Sequence, residues 1–414
     1  MNAAVERPGG NVGRAIDVIE GAARAAGARA FLVGGPVRDM LRGMPPRDLD
    51  IAIEGDAEKI ARELATLTDG EIRQPGPFLT FKVVPRDAAE IDIATARRER
   101  YPHPGALPIV EPASIEEDLQ RRDFSINAIA LEIFTWTLVD PMGGVDDLRR
   151  GLLRVLHDRS FVDDPTRILR GLRFTSRLGL RWEAKTANLL ADAIAHDALA
   201  TVSRERVWRE LIHASNEIGG GAAALLAIAR SGALEAILGI PTDPAEAAAL
   251  ERFERERESF SGRGADATLV RLALTFAGAT LEPGAISMAP MRERAREQLA
   301  SIARDPRRNA RALEALTEDD GIFDILSAMT AEERVVTALV APAVRPLVER
   351  FERAAATRIV SSATELAVPP GPWIGRAIRA TIRALFVRAI APGEAAAFAR
   401  RAALDYLRGQ DRKE

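Results

Sequence analysis

Apolar positions in the first 150 residues switch between two spacings. From Asn11 to Ala26 they recur every three or four residues (Ile16, Ile19, Ala22, Ala23), which predicts a helix ended by Gly27. Phe31-Leu32-Val33 is a short apolar run that meets Gly34-Gly35, followed by a helical segment carrying Arg38 and a turn at Pro45-Pro46. Asp48-Leu49-Asp50-Ile51-Ala52-Ile53 alternates at period two and predicts a strand with both carboxylates on one face. A second helix is expected over Ala57 to Leu67, a loop over Gly70 to Pro77, and strands over Phe78 to Val84 and Glu90 to Ala94. Arg97 to Pro112 is rich in Pro and Gly and reads as a loop. Ser114-Ile115-Glu116-Glu117 is a capping box that opens a helix through Asp123 and on toward Ala130. Leu131 to Val139 returns to strand, and Leu152 to Leu156 is the last strand expected.

Beyond Gly151 helical spacing dominates. Pro165 sits at a first-turn position, and Ile168, Leu169, Leu172, Phe174 and Leu178 follow on helical faces. Further helices are expected over Ser203 to Ile212, Ala222 to Leu238 and Ile374 to Arg388. The plan is an α+β head over residues 1–150, a helical neck over 151–220, and a helical body and tail over 221–414.

Composition narrows this little. The 414 residues carry a formal net charge of −3 and 47% hydrophobic residues, so there is ample material for a core and no bulk charge announces a partner. Aromatics at 5% argue against base stacking as the main binding mode. The absence of cysteine excludes disulfides and thiolate metal sites, and fits a cytoplasmic protein. No leader-like or membrane-length apolar run appears in the sequence.

The polar residues say more. Asp48 and Asp50 are hard oxygen donors suited to Mg²⁺, or else two solvated acids on a strand. Gly34-Gly35 at a helix start offers backbone N–H groups to phosphate, and Arg38 one turn on could grip phosphate oxygens or lie on the surface. Asp92, on another strand, stands open between a third ligand of a two-ion site (ions about 3.5–4 Å apart) and a hairpin residue. Arg121-Arg122-Asp123 pairs cations with an acid able to accept from a ribose hydroxyl. Asp163-Asp164-Pro165-Thr166-Arg167, with Arg170 and Arg173, reads either as a device presenting acceptor and donors to a base edge or as a capped helix with surface arginines. Neither GxxxxGK[ST] nor HExxH occurs, and four histidines are too few for a histidine phosphohydrolase.

In this order the clusters resemble the class II tRNA nucleotidyltransferase and bacterial poly(A) polymerase family of the polymerase-β-like superfamily. The resemblance rests on LVGGPVRDMLRG and RDLDIAIEG within Leu32 to Gly55, EEDLQRRDFSINAIA, DPMGGVDDLRRGLLR, DDPTRILRGLRF and SRERVWREL, and more weakly on PPGPWIG. It implies Mg²⁺ on Asp48 and Asp50, triphosphate at Gly34, Gly35 and Arg38 assisted by Arg121 and Arg122, and ribose selection by Asp123. Asp164 and Arg167 would read CTP or ATP, Arg170 and Arg173 would touch the nucleotide, Ser203 to Leu211 would brace the reading helix, and the later helices would hold tRNA. A catalytic part for Asp92 is implied only in some members. Asp163 stands where the motif usually has Glu. The product is left between full CCA, its terminal A and, in the rival reading, poly(A); the long Thr95 to Pro112 segment argues against CC alone. A catalytically dead RNA-binding scaffold is the remaining alternative.

Overall fold

The computed structural model describes residues 5–410 except 47, 77–79, 87–89, 218–219, 240–245, 262–263, 358–361 and 367. The chain divides into two compact units, Met1–Glu210 and Leu211–Glu414. The expected neck residues up to 210 thus share a unit with the head.

The amino-terminal unit is built on a seven-stranded sheet. Helix α1 (Gly10–Ala26) ends where Gly27 takes φ 63°, and its N–H reaches back into the last turn. The chain then runs through β1 (Arg29–Val33), α2 (Gly35–Leu41), β2 (Leu49–Glu54), α3 (Ala57–Leu67), β3 (Glu71–Gly76), β4 (Thr80–Val84) and β5 (Ile91–Thr95). After a hairpin of β6 (Arg97–Arg100) and β7 (Ile109–Pro112) come α4 (Ile115–Gln120), β8 (Ala130–Glu132) and β9 (Leu138–Val139). The sheet order is β3-β4-β5-β2-β1-β8-β9, with β2 and β5 parallel and the other neighbours antiparallel.

The period-two pattern decides what each face does. Leu49, Ile51 and Ile53 join Leu32, Val83, Ile91 and Ile93 in a core covered by Ile16 and Ile19 of α1 and Ile60 and Leu64 of α3. The opposite face has a smaller cluster, Phe31, Val33, Ala52 and Ala130 with Ala96 and Ala128, against Ile115 and Leu119 of α4. Asp50 lies on that thinner face, beside Ala52, and the sheet is open there.

Several expectations change. Gly70 to Pro77 is not a loop through Gly76 but strand β3, which pairs with β4. The next strand covers Thr80–Val84; residues 78 and 79 of its expected start lie outside the described residues. Arg97 to Pro112 is a hairpin, not a loop. Its charges alternate in register: Arg98 faces Glu111 across the pair at 2.7 Å, while Arg97 and Glu99 turn inward. The helix from Ser114 stops at Gln120, because the Asp123 side chain accepts from the Phe124 N–H at 2.8 Å and the Phe124 backbone bridges to Val155. Leu131 to Val139 is broken into β8 and β9 by a turn in which Trp136 takes φ 55°.

The remainder of this unit is α5 (Gly144–Arg150), β10 (Leu152–Leu153), α6 (Ser160–Asp163), α7 (Thr166–Leu178), β11 (Arg181–Trp182), α8 (Ala184–Ala195) and most of α9 (Arg204–Ser215). Strand β11, unexpected from the sequence, pairs in parallel with β10. It sets Trp182 beside Phe124, with ring centroids 6.1 Å apart, and Phe124 edge-on to Phe174 at 5.9 Å. Gly171 on α7 is where these rings meet the helix: a Cβ there would run into both Trp182 and Phe124. Gly171→Ala, which in an open helix would gain up to about 1 kcal/mol, is expected to lose about 1–3 kcal/mol by overpacking. Denaturant unfolding checks this, and an unchanged or raised stability would contradict the packing described.

The second unit is helical, from Gly221–Arg230 to Ala395–Gln410, and holds no strand among its described residues. Pro372 opens the long helix Pro372–Phe386 of the PPGPWIG segment. No helix of the described residues is long and apolar enough to cross a membrane.

Candidate active site

Parallel pairing of β2 with β5 makes Asp50 and Asp92 register partners on the open face. Asp48, one step before β2, is exposed at the rim. Lys82 on β4 faces Asp92 across the next pair, its Nζ 3.1 Å from both Asp92 and Glu90. Burial pushes the Asp50 carboxyl up to about 6, the Asp92 charge adds to this and Asp48 adds less, while Arg122 and Lys82 pull it down. A carboxyl raised by burial and by neighbouring acids belongs to a donor set that a divalent cation would relieve. No group of three acids or histidines is already closed around one point among the described residues. Asp48 and Asp50 therefore fit an ion whose other oxygens come from water and a bound phosphate, as Mg²⁺ prefers.

Gly34 takes φ 69°, and a Cβ on it would lie 2.8 Å from Arg122 Nη1. Its N–H is not available to a phosphate, since it donates to the Ile129 carbonyl at 3.1 Å. Arg38, one turn into α2, is buried rather than a surface cation. It donates to Asn127 Oδ1 at 2.7 Å and to Asp39 Oδ1 at 2.9 Å, above the Phe174 ring.

Arg121 and Arg122 are organised from below by Asp118, which is 1% exposed. Arg122 Nη2 donates to Asp118 Oδ2 at 2.8 Å, and Arg121 Nη2 to Asp118 Oδ1 at 2.7 Å. Arg121 also donates to Glu99 of β6 at 2.7 Å, and Glu99 takes the Tyr101 hydroxyl at 3.0 Å. The inward residues of the hairpin thus support the second cluster. Asp123 is buried with both oxygens engaged: Oδ1 accepts from Asn127 Nδ2 and the Phe124 N–H, and Oδ2 accepts from Arg170 Nε and Nη2 at 2.9 and 2.7 Å. Burial would raise its pKa, but Arg170 and Asn127 outweigh that and hold it at about 2. In this position Asp123 orients Arg170.

The third cluster sits where α6 gives way to α7. Arg167 is 3% exposed and donates to Ser160 Oγ and to the Arg121 carbonyl at 3.0 and 2.9 Å. Asp164 Oδ1 accepts from the Thr166 hydroxyl at 2.7 Å and from Arg206 Nη2 of α9 at 2.7 Å. The other end of Arg206 donates to the Gly105 carbonyl at the hairpin tip at 3.0 Å. Arg170 and Arg173 both approach Glu210, at 3.5 and 3.7 Å.

One cleft of about 600 Å³ joins Gly34, Gly35, Arg38, Asp50, Arg121, Arg122, Asp123, Asp164, Arg167, Arg170 and Arg173. Ten arginines and four acids line it, which suits a polyanion. A second cleft, of about 370 Å³, shares Asp50, Arg121 and Arg122 and adds Asp92 and Thr80. Asp48 lines neither. Sequence reasoning assigns no site role to Asp118, Asn127, Glu99, Tyr101 or Arg206, and reads Phe174 only as an apolar helical position. Asn127, four residues after Asp123, is the most visible signal among them.

Residues 30–154 match the family described as poly A polymerase head domain. A stretch of the chain is similar to the A-adding tRNA nucleotidyltransferase of Halalkalibacterium halodurans, 51% identical over 186 residues, or 44% of this chain and 44% of that protein. The chain therefore spans less than half the length of that relative. Over most of its length the chain resembles a tRNA-processing enzyme in apo form, with TM-score 0.74, 26% identity, and coverage of 92% of this chain and 99% of that one. A tRNA-processing enzyme with CTP superposes with TM-score 0.70 at 26% identity over 89% of this chain and 99% of that one. These likenesses carry the α+β head followed by helices through both units.

Proposed function

We propose that the chain is a template-independent RNA nucleotidyltransferase that adds CCA, or its terminal A, to the 3′ end of tRNA from CTP and ATP. The observation that carries this reading is the single cleft in which the carboxylate-bearing strand, an arginine-rich polyanion pocket and the Asp164–Arg167 pair converge. A relative named for A addition and a similar solved structure with CTP support the substrates.

The residues divide the work. Arg38 and Arg122, each fixed by an acid at its back, bind triphosphate oxygens as charge-assisted donors. Asp123 holds Arg170 toward the nucleotide and stands near its ribose. Arg167 keeps N–H groups, and Asp164 a carboxylate oxygen, for a base edge, in a plane set by Ser160, Arg121 and Arg206. Asp48 and Asp50 would hold Mg²⁺, which would lower the pKa of the attacking hydroxyl and neutralise developing phosphate charge. The 3′-hydroxyl of the RNA attacks the α-phosphate in line; a P–O bond forms and pyrophosphate leaves along the arginines. Asp92 is proposed as a third acid on the acceptor side. Residues 151–220 serve as neck, and 221–414 as body and tail that hold the tRNA by shape and backbone charge. The reaction is placed in the cytoplasm.

The name of the matched family favours one second reading, addition of AMP to RNA ends in general. Acceptor choice separates the two: a poly(A) polymerase would extend an unstructured RNA repeatedly, whereas the proposed enzyme stops on tRNA at CCA. For the base-reading part, Arg206→Ala is expected to reduce the preference for ATP and CTP over GTP and UTP by about tenfold, the value of one charged hydrogen bond. Equilibrium titration with each nucleotide checks this; an unchanged preference would mean that Arg206 and the orientation of Asp164 have no part in base choice.

A further inference from the structure

Lys82 has no part in the nucleotide cleft, yet it holds the acid beside Asp50. Its Nζ lies 3.1 Å from Asp92 Oδ1 and 3.2 Å from Oδ2, and 3.1 Å from Glu90 Oε2. It therefore straddles two acceptors. Glu90 has a second cation, Arg73, at 3.2 Å, whereas on Asp92 both oxygens face Lys82. Across the sheet the order is Lys82, Asp92, Asp50, fixed by β4–β5 and β5–β2 register.

We propose that Lys82 is a tethered counter-cation for Asp92, which a divalent ion must displace toward Glu90 before Asp92 can serve as a ligand beside Asp50. This rests on the metal-dependent reading above. A lysine ammonium is a compact, mobile charge on a flexible stem, and its second acceptor gives it a place to go. In this arrangement the acid pair stays assembled without an ion, and the Asp92 side admits one only against competition. Lys82 is 37% and Asp92 47% exposed at the side chain, so solvent screens the contact and the competition is modest.

The test is a titration of the full chain with Mn²⁺, followed by the electron paramagnetic resonance signal of the free ion. Lys82→Met is expected to tighten Mn²⁺ binding about fivefold, in line with one partly screened ion pair. Arg73→Met, which removes the same charge beside Glu90 without touching Asp92, is expected to change it by less than about twofold. In an Asp92→Asn background the gain from Lys82→Met is expected to vanish, as a double-mutant cycle requires for a direct contact. Circular dichroism of each variant checks folding. A gain that persists without Asp92, or no gain at all, overturns the role of Lys82 while Mn²⁺ binding itself leaves the metal-dependent reading in place. Absence of Mn²⁺ binding in the unaltered chain and every variant overturns both.

Discussion

Replacing Asp50 by Asn is expected to lower nucleotide incorporation about a thousandfold or more while leaving the chain folded and slightly more resistant to heat. The activity loss follows from removing the one acid that lines both clefts. The stability gain follows from the pKa. The Asp50 carboxyl is raised to about 6 from an ordinary 3.8, chiefly by burial and then by Asp92. A raised carboxyl binds its proton more tightly folded than unfolded, so what it contributes to stability is present at acid pH and lost as pH rises through about 6. Thermal unfolding without divalent ions should therefore show no difference between the two proteins below about pH 4 and a higher midpoint for the Asn variant at about pH 7. Incorporation within about tenfold of the unaltered chain, or a variant that melts lower at neutral pH, would contradict this placement of Asp50.

The largest stability effect is expected from a residue that touches no nucleotide. Asp118→Ala should cost about 3–5 kcal/mol, the range for breaking a buried ion pair from one side. Asp118 carries Arg121 and Arg122 on separate oxygens and accepts from the Arg97 N–H at 3.2 Å. Its removal leaves two half-buried guanidinium groups without their common acid. Burial alone would raise its pKa, but the charges of Arg122 and Arg121 reverse that and lower it. A lowered carboxyl contributes stability above its unfolded value, which is lost as pH falls through the folded one. Urea unfolding at neutral pH and at successively lower pH should show the gap between the two proteins closing in acid. A cost below about 1 kcal/mol at neutral pH would mean that the arginines are held without Asp118. A loss of triphosphate binding is expected alongside, because Arg122 would no longer be aimed.

Local pattern and long-range pairing separate what is legible in the chain from what is not. Asp48 and Asp50 can be read from sequence because period two is a property of one strand. That Asp92 stands beside Asp50 cannot, since it requires β5 to pair in parallel with β2 after two intervening strands. The Arg97 to Pro112 segment reads as a loop because its Pro and Gly, Pro112 apart, lie in the tip from Pro102 to Pro108, while β6 is charged on both faces. Inward Glu99 and outward Arg98 look alike in sequence; only the partners Arg121 and Glu111 distinguish them. The overshoot of the helix at Ser114 has the same origin. Asp123 is a tolerable helix residue until its side chain caps Phe124 and meets Arg170, 47 positions away. Asp118 resembles any first-turn acid, and its burial under two arginines has no local signal. Motif order, by contrast, carries through: each cluster named from the sequence, Asp48 and Asp92 aside, lines the 600 Å³ cleft.

The activity proposed for this cleft is transfer of nucleotides to the end of a tRNA without a template. The decisive measurement is incorporation of labelled CTP and ATP, each alone and together, into tRNAs ending before CCA, after C and after CC, with Mg²⁺ and with the ion chelated. At least the tRNA ending in CC is predicted to gain a single A with Mg²⁺, pyrophosphate to be released in equal amount, and chelation to stop both. No extension of any of these tRNAs with Mg²⁺ present would contradict it.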